Sequence, residues 1–129
     1  MIKGDNYSHQ FIVTPQIYAS FIKLFNDKNP LHTNEVFANS KGFTSVVMHG
    51  NILNGFLSYF IGELLPIKNV IIQTQEIKYF HPIYLNDILN FNAEIIDVFE
   101  SIHSIEFKFY FMNANFKKVA KGKILIGII

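Results

Sequence analysis

Gly50-Asn51-Ile52-Leu53-Asn54-Gly55-Phe56-Leu57-Ser58-Tyr59-Phe60-Ile61-Gly62-Glu63-Leu64-Leu65 is the stretch on which the fold turns. Ile52, Leu53, Phe56, Leu57, Phe60, Ile61, Leu64 and Leu65 recur at helical spacing and cover most of a helix's circumference. A helix that is apolar nearly all round belongs inside a protein. What remains is a stripe, Asn51, Gly55, Ser58 and Gly62, spaced by four, three and four residues. Two readings of the stripe stay open: another backbone packs closely against its small residues, or something polar approaches there. Asn54, Ser58 and Glu63 interrupt the apolar run, which falls short of the ~18 uninterrupted residues of a membrane span.

Beyond Pro66 the period changes from 3.6 to 2. Leu89, Phe91, Ala93 and Ile95 alternate with polar residues, and Ile105, Phe107, Phe109 and Phe111 do the same. Val70 to Phe80 and Val119 to Ile129 complete the strand-rich half, with a turn at Asn113-Ala114-Asn115. Such alternation predicts an antiparallel sheet with one face on a core. Upstream, Gln10 to Val13 reads as a short strand. Thr14-Pro15 reads as a cap with proline at the first helical position, opening an amphipathic helix to about Phe25. Asn26 to Leu31 breaks that helix, and Thr33 caps a short helix to about Asn39. With no linker or low-complexity tract, residues 1–129 form one α+β domain: a curved antiparallel β-sheet wrapped around a long central α-helix.

Composition narrows the function. Half of the 129 residues are hydrophobic, 16% are charged and the net charge is +1. All 11 basic residues are lysines. Without arginine forks or a basic excess, nucleic acid is not the expected partner. The absence of cysteine excludes disulfides, thiolate nucleophiles and cysteine metal sites. His9, His81 and His103 match no metal-ligand spacing, and no phosphate-cradling glycine loop is present. The lysines at 117, 118, 121 and 123 read as a solvated face. The polar N-terminus lacks the apolar core of a signal peptide, so the expectation is a cytoplasmic protein without a membrane partner.

Three short segments can carry chemistry. Asp27-Lys28-Asn29-Pro30-Leu31-His32 sets a carboxylate and an imidazole five residues apart on a non-helical loop. Held close, such a pair can activate one water; alternatively Asp-x-Asn-Pro is simply a good turn. Met48-His49-Gly50-Asn51 opens the buried helix, whose unpaired amides can stabilise an oxyanion. Gly50 admits a ligand to the backbone or serves a tight turn, and His49 is equally readable as a structural histidine. Tyr79-Phe80-His81-Pro82-Ile83-Tyr84-Leu85-Asn86-Asp87 reads as a structural strand junction with a proline at an edge or bulge.

Taken together these segments resemble the MaoC-like (R)-specific enoyl-CoA hydratases, which have the hot-dog fold. The family pattern Asp-x-Asn-Pro-Leu/Val/Ile-His stands complete at Asp27 to His32 and is followed by Phe37-Ala38. Seventeen residues after His32 comes the family's His-Gly pair as His49-Gly50. Ser58 matches a serine on the family's helix, and Phe80 to Asp87 matches its aromatic-x-Pro junction. The resemblance implies that Asp27 and His32 hold the water added to C3 of a trans-2-enoyl thioester, with Asp27 shuttling a proton to C2. It implies an oxyanion contact from the Gly50 amide, and supporting or substrate-binding roles for Asn29, His49, Asn51 and Ser58. It implies no metal and no cofactor beyond the coenzyme A or acyl carrier protein of the substrate, and a homodimer.

Three departures stand out. Phe25-Asn26 replaces a small Ser/Thr-Gly pair, Asn51 replaces an apolar residue after His-Gly, and Asn86 replaces the glycine before Asp87. Hydration of an enoyl thioester, and the reverse dehydration, is the leading reading. A hot-dog thioesterase and a non-catalytic acyl-thioester-binding subunit are the alternatives.

Overall fold

The computed structural model describes residues 1–129. Strand β1 (Asn6–Ile12) leads into helix α1 (Pro15–Phe25), two short helices α2 (Pro30–Thr33) and α3 (Glu35–Ser40), and helix α4 (Asn51–Tyr59). Four strands follow: β2 (Val70–Tyr79), β3 (Ile88–Phe99), β4 (Ser104–Met112) and β5 (Lys118–Ile128). The sheet order is β1-β3-β4-β5-β2, and every neighbouring pair is antiparallel.

The expected alternation is borne out along β3 and β4, except that Ser104, expected on the polar side, is buried. Leu89, Phe91, Ala93 and Ile95 on β3 are buried, as are Ile105, Phe107, Phe109 and Phe111 on β4. They meet the apolar sides of α4. Phe60 is fully buried and lies 4.9 Å from Phe91 and 5.5 Å from Phe107, ring centroid to centroid. Phe56 stacks on Phe11 of β1 at 4.4 Å. The stripe of Asn51, Gly55, Ser58 and Gly62 is exposed, with nothing within 4 Å of a methyl group placed on either glycine. No other backbone of this chain packs there.

Several expected boundaries shift, each for a local reason. The central helix is modest: α4 has nine residues and ends in a five-residue π-helical turn, Phe60–Leu64. Strand β1 starts at Asn6, four residues before the expected strand, because residues 6–9 pair with β3 although their side chains are mostly polar. Pro30 starts a helix instead of merely ending one. Asn29 caps it, its Oδ1 accepting the Leu31 N–H at 2.9 Å, and Pro30 fits the first turn, where no N–H is needed. His32 therefore sits on one turn of helix, not on a non-helical loop. The cap of the next helix is Asn34, whose Oδ1 accepts from the Phe37 N–H. Thr33, expected in that role, donates its hydroxyl to the Lys28 and Asn29 carbonyls instead.

Tight turns carry left-handed residues at Asn26 (φ 56°), Asn86 (φ 68°) and Phe116 (φ 60°). Asparagine tolerates this region, whereas a bulky side chain is strained there. Phe116 is also 85% exposed, so no packing offsets the strain. Phe116→Asn is expected to stabilise the fold by about 1 kcal/mol. By calorimetry Tm should rise roughly 3–5 °C; an unchanged or lower Tm would show that the turn carries no such strain.

Candidate active site

Asp27 is placed by the end of α1. Asn26 adopts the left-handed conformation and donates its N–H to the Ile22 carbonyl at 2.8 Å, which stops the helix and turns the chain. Asp27 follows, its Oδ1 accepting the Asn29 N–H at 3.2 Å. His32 lies on α2, and its Nδ1 is 2.7 Å from the Val47 carbonyl. A carbonyl only accepts, so Nδ1 carries the proton of the neutral ring and Nε2 presents a lone pair. That Nε2 lies 3.9 Å from Asp27 Oδ2. The gap is too long for a direct hydrogen bond, but one water oxygen fits at about 2.8 Å from both groups.

His49 completes the cluster from below. It is buried, its ring stacks on His32 at 3.9 Å, and Phe21 of α1 packs on it at 4.7 Å. Nε2 donates to the Asp27 backbone carbonyl at 2.9 Å and lies 4.0 Å from Asp27 Oδ2. The Nδ1 that remains is buried without a partner. Leaving such an atom unpaired costs about 1–3 kcal/mol. Two more bonds brace the loop before α4: the Val47 N–H donates to Leu31 O, and the Met48 N–H to Ile83 O. The second ties the loop to the Pro82 junction, which Asp87 closes by accepting the Tyr84 N–H.

Gly50 has φ −57° and ψ −33°, ordinary helical values, so no tight turn requires glycine here. A Cβ here would sit 3.0 Å from the Tyr79 ring, which would have to give way slightly. The N–H groups of Gly50 and Asn51 have no acceptor in the chain, while those of Ile52 and Leu53 bond to His49 O and Gly50 O. Two free donors thus mark the start of α4, where the helix dipole favours negative charge.

An open cleft of about 830 Å³ runs between α1 and the start of α4. Asp27 and Asn51 line it, with an apolar wall that includes Ile17, Phe21, Leu24, Ile52 and Phe56. Asn29 acts on the site through its cap under His32. Ser58 lies roughly two turns along α4. It is exposed, makes no side-chain hydrogen bond and does not line the cleft. Tyr18 escapes the sequence reading: its hydroxyl donates to the His32 carbonyl, and burial pushes its pKa up, which keeps it a donor. Its position one turn after Pro15 on the inward face of α1 is the only signal for it.

Asp27, His32 and His49 each present one donor atom, all within 4.8 Å of one another. For a metal to use the three, His49 Nε2 would have to give up its bond to the Asp27 carbonyl. No helix is long and apolar enough to cross a membrane.

Fold comparison places the chain in the hot-dog class. The (R)-hydratase from A. caviae involved in PHA biosynthesis superposes with a TM-score of 0.91 at 21% identity, covering 100% of this chain and 98% of that one. The family profile for the MaoC like domain matches residues 5–108. The chain belongs to that family. Among curated relatives, the (R)-specific enoyl-CoA hydratase of Aeromonas caviae is 31% identical over 77 residues, 60% of this chain and 58% of that protein. The enzyme of the same description from Rhodospirillum rubrum is 34% identical over 67 residues, 52% of this chain and 46% of that protein. The matched region thus spans about half the length of these relatives.

The two histidines are expected in opposite tautomers when neutral. Long-range ¹H–¹⁵N NMR should find the proton on Nδ1 of His32 and on Nε2 of His49. An Nε2–H form at His32 would mean that Val47 does not hold the ring and that its lone pair does not face Asp27.

Proposed function

We propose that the chain is a hydro-lyase that adds water to a trans-2-enoyl thioester, giving the (R)-3-hydroxyacyl thioester, and catalyses the reverse dehydration. The observation that carries this reading is the 3.9 Å gap between Asp27 Oδ2 and His32 Nε2, the ring nitrogen that Val47 leaves free, beside free amides at the start of α4. Its similarity to (R)-specific enoyl-CoA hydratases supports it further.

In the hydration direction, water sits between the two side chains with one hydrogen toward each. His32 Nε2 accepts one of these hydrogen bonds and orients the oxygen. As that oxygen bonds to C3, the C2–C3 π pair moves to form an enolate. The thioester oxygen gains negative charge and accepts from the Gly50 N–H, a stabilisation worth about 3–4 kcal/mol where such donors have been removed. Asp27 takes the other water hydrogen and delivers it to C2, so the carboxylate is regenerated in each cycle. The acyl chain lies along the apolar wall formed by α1 and α4. His49 and Asn29 hold the pair in position, and Ser58 has no part in the proton transfers. The carrier is coenzyme A or acyl carrier protein, and no further cofactor is invoked.

A homodimer fits the surface. Ile71 and Ile72 are 52% and 37% exposed on edge strand β2, an arrangement that favours pairing with another chain. The thioesterase reading would use the same amides but needs water aimed at the carbonyl carbon. Asp27 and His32 then have no shared task, so hydration is the better account.

Crotonyl-CoA separates the readings. Hydration removes the conjugated enoyl absorbance without releasing thiol, a thioesterase releases thiol, and a binder does neither. Asp27→Asn and His32→Ala are each expected to lower turnover at least ~100-fold. Near-normal rates in either variant would refute the assigned roles.

A further inference from the structure

Polar side chains outside the acid–base pair form a connected relay at the start of α4. Gln75 of β2 donates from Nε2 to Asn54 Oδ1 at 2.6 Å. Asn54 Nδ2 donates to Asn51 Oδ1 at 2.8 Å and to the Tyr79 hydroxyl at 3.3 Å. Tyr79 in turn donates its hydroxyl proton to the Gly50 carbonyl at 3.3 Å.

The direction of this relay is fixed by chemistry, although an amide's oxygen and nitrogen resemble each other in shape. The Gly50 carbonyl can only accept, so Tyr79 spends its single proton there. Burial pushes the Tyr79 pKa up, outweighing the lowering by Asn54, and the proton stays on. The Tyr79 oxygen is then an acceptor, and the Asn54 atom facing it must be the donor Nδ2. The same nitrogen's second hydrogen goes to Asn51, so Asn51 must turn its oxygen toward Asn54. Its Nδ2 keeps both hydrogens unclaimed, on a residue that lines the same cleft as Asp27 and Asn54.

We propose that Asn51 Nδ2 is a second donor to the substrate's thioester oxygen, beside the Gly50 amide, and that Gln75, Asn54 and Tyr79 are positioning residues that aim it. This rests on the hydration reading for the placement of the thioester. It gives a task to the polar residue that stands where an apolar one is usual, and the direction of the donors follows from one backbone carbonyl.

Asn51→Leu removes the donor at an exposed position and is expected to lower kcat about 10- to 100-fold on crotonyl-CoA, with KM changed less than about threefold. Asn54→Asp offers Asn51 only acceptors, so Asn51 turns its Nδ2 away from the cleft, and the loss of kcat should be of similar size. The double variant should be no slower than Asn51→Leu alone, since the two changes remove one interaction. A second readout needs no turnover: butanoyl-CoA, which has no double bond to hydrate, should shift the Asn51 side-chain NH₂ resonances of the wild type but not of Asn54→Asp. Unchanged kcat in Asn51→Leu, additive losses in the double variant, or an Asn51 NH₂ unmoved by butanoyl-CoA would overturn the proposal while leaving hydration standing. If the wild type hydrates no enoyl thioester yet the NH₂ shift occurs and is lost in Asn54→Asp, the reaction is wrong and the donor role survives.

Discussion

The bond from His49 Nε2 to the Asp27 carbonyl joins the two halves of the site. Asp27 stands on the segment that leaves α1, while His49 belongs to the loop that opens α4. Without a link between them, the carboxylate and the helix amides would be set by separate pieces of chain. His49 is buried and packed by His32 and Phe21, while Asp27 stands at the exposed end of the bond. Losing the bond would leave the buried His49 Nε2 without a partner, which makes it costly to break. His32 is then located twice over, by stacking on His49 and by its own bond to Val47.

Much of this was legible in the sequence. The burial of β3, β4 and α4 follows from periods of 2 and 3.6, because solvent on one face and core on the other impose them. Asp27, His32 and Gly50 stand out because few residue types serve proton transfer or an open helix end. The asparagines at 26 and 86, which look like departures where glycine is usual, turn out to occupy left-handed backbone. They satisfy the same constraint with a different residue.

What was not legible depends on distance in space. Thr14-Pro15 reads as a helix start, whereas Asn29-Pro30 uses the same chemistry one loop later and reads as a terminator. A four-residue helix has no periodicity to betray it. Tyr18 and Val47 act through a hydroxyl and a backbone carbonyl that meet His32 only after folding. The link from Gln75 to Asn51 joins β2 to α4, and nothing in the local pattern of either announces it. The stripe on α4 proves divided: Asn51 faces the cleft, whereas Ser58 and Gly62 lie on open surface away from it.

The proposed hydration needs one water shared by two side chains, opposite an amide that receives the thioester oxygen. A crystal structure of the protein with bound butanoyl-CoA tests it most directly. The expected result is an ordered water within about 3.2 Å of both Asp27 Oδ2 and His32 Nε2, with the thioester oxygen at a similar distance from the Gly50 nitrogen. Two side chains pointing apart, or a thioester oxygen turned away from the start of α4, would contradict it.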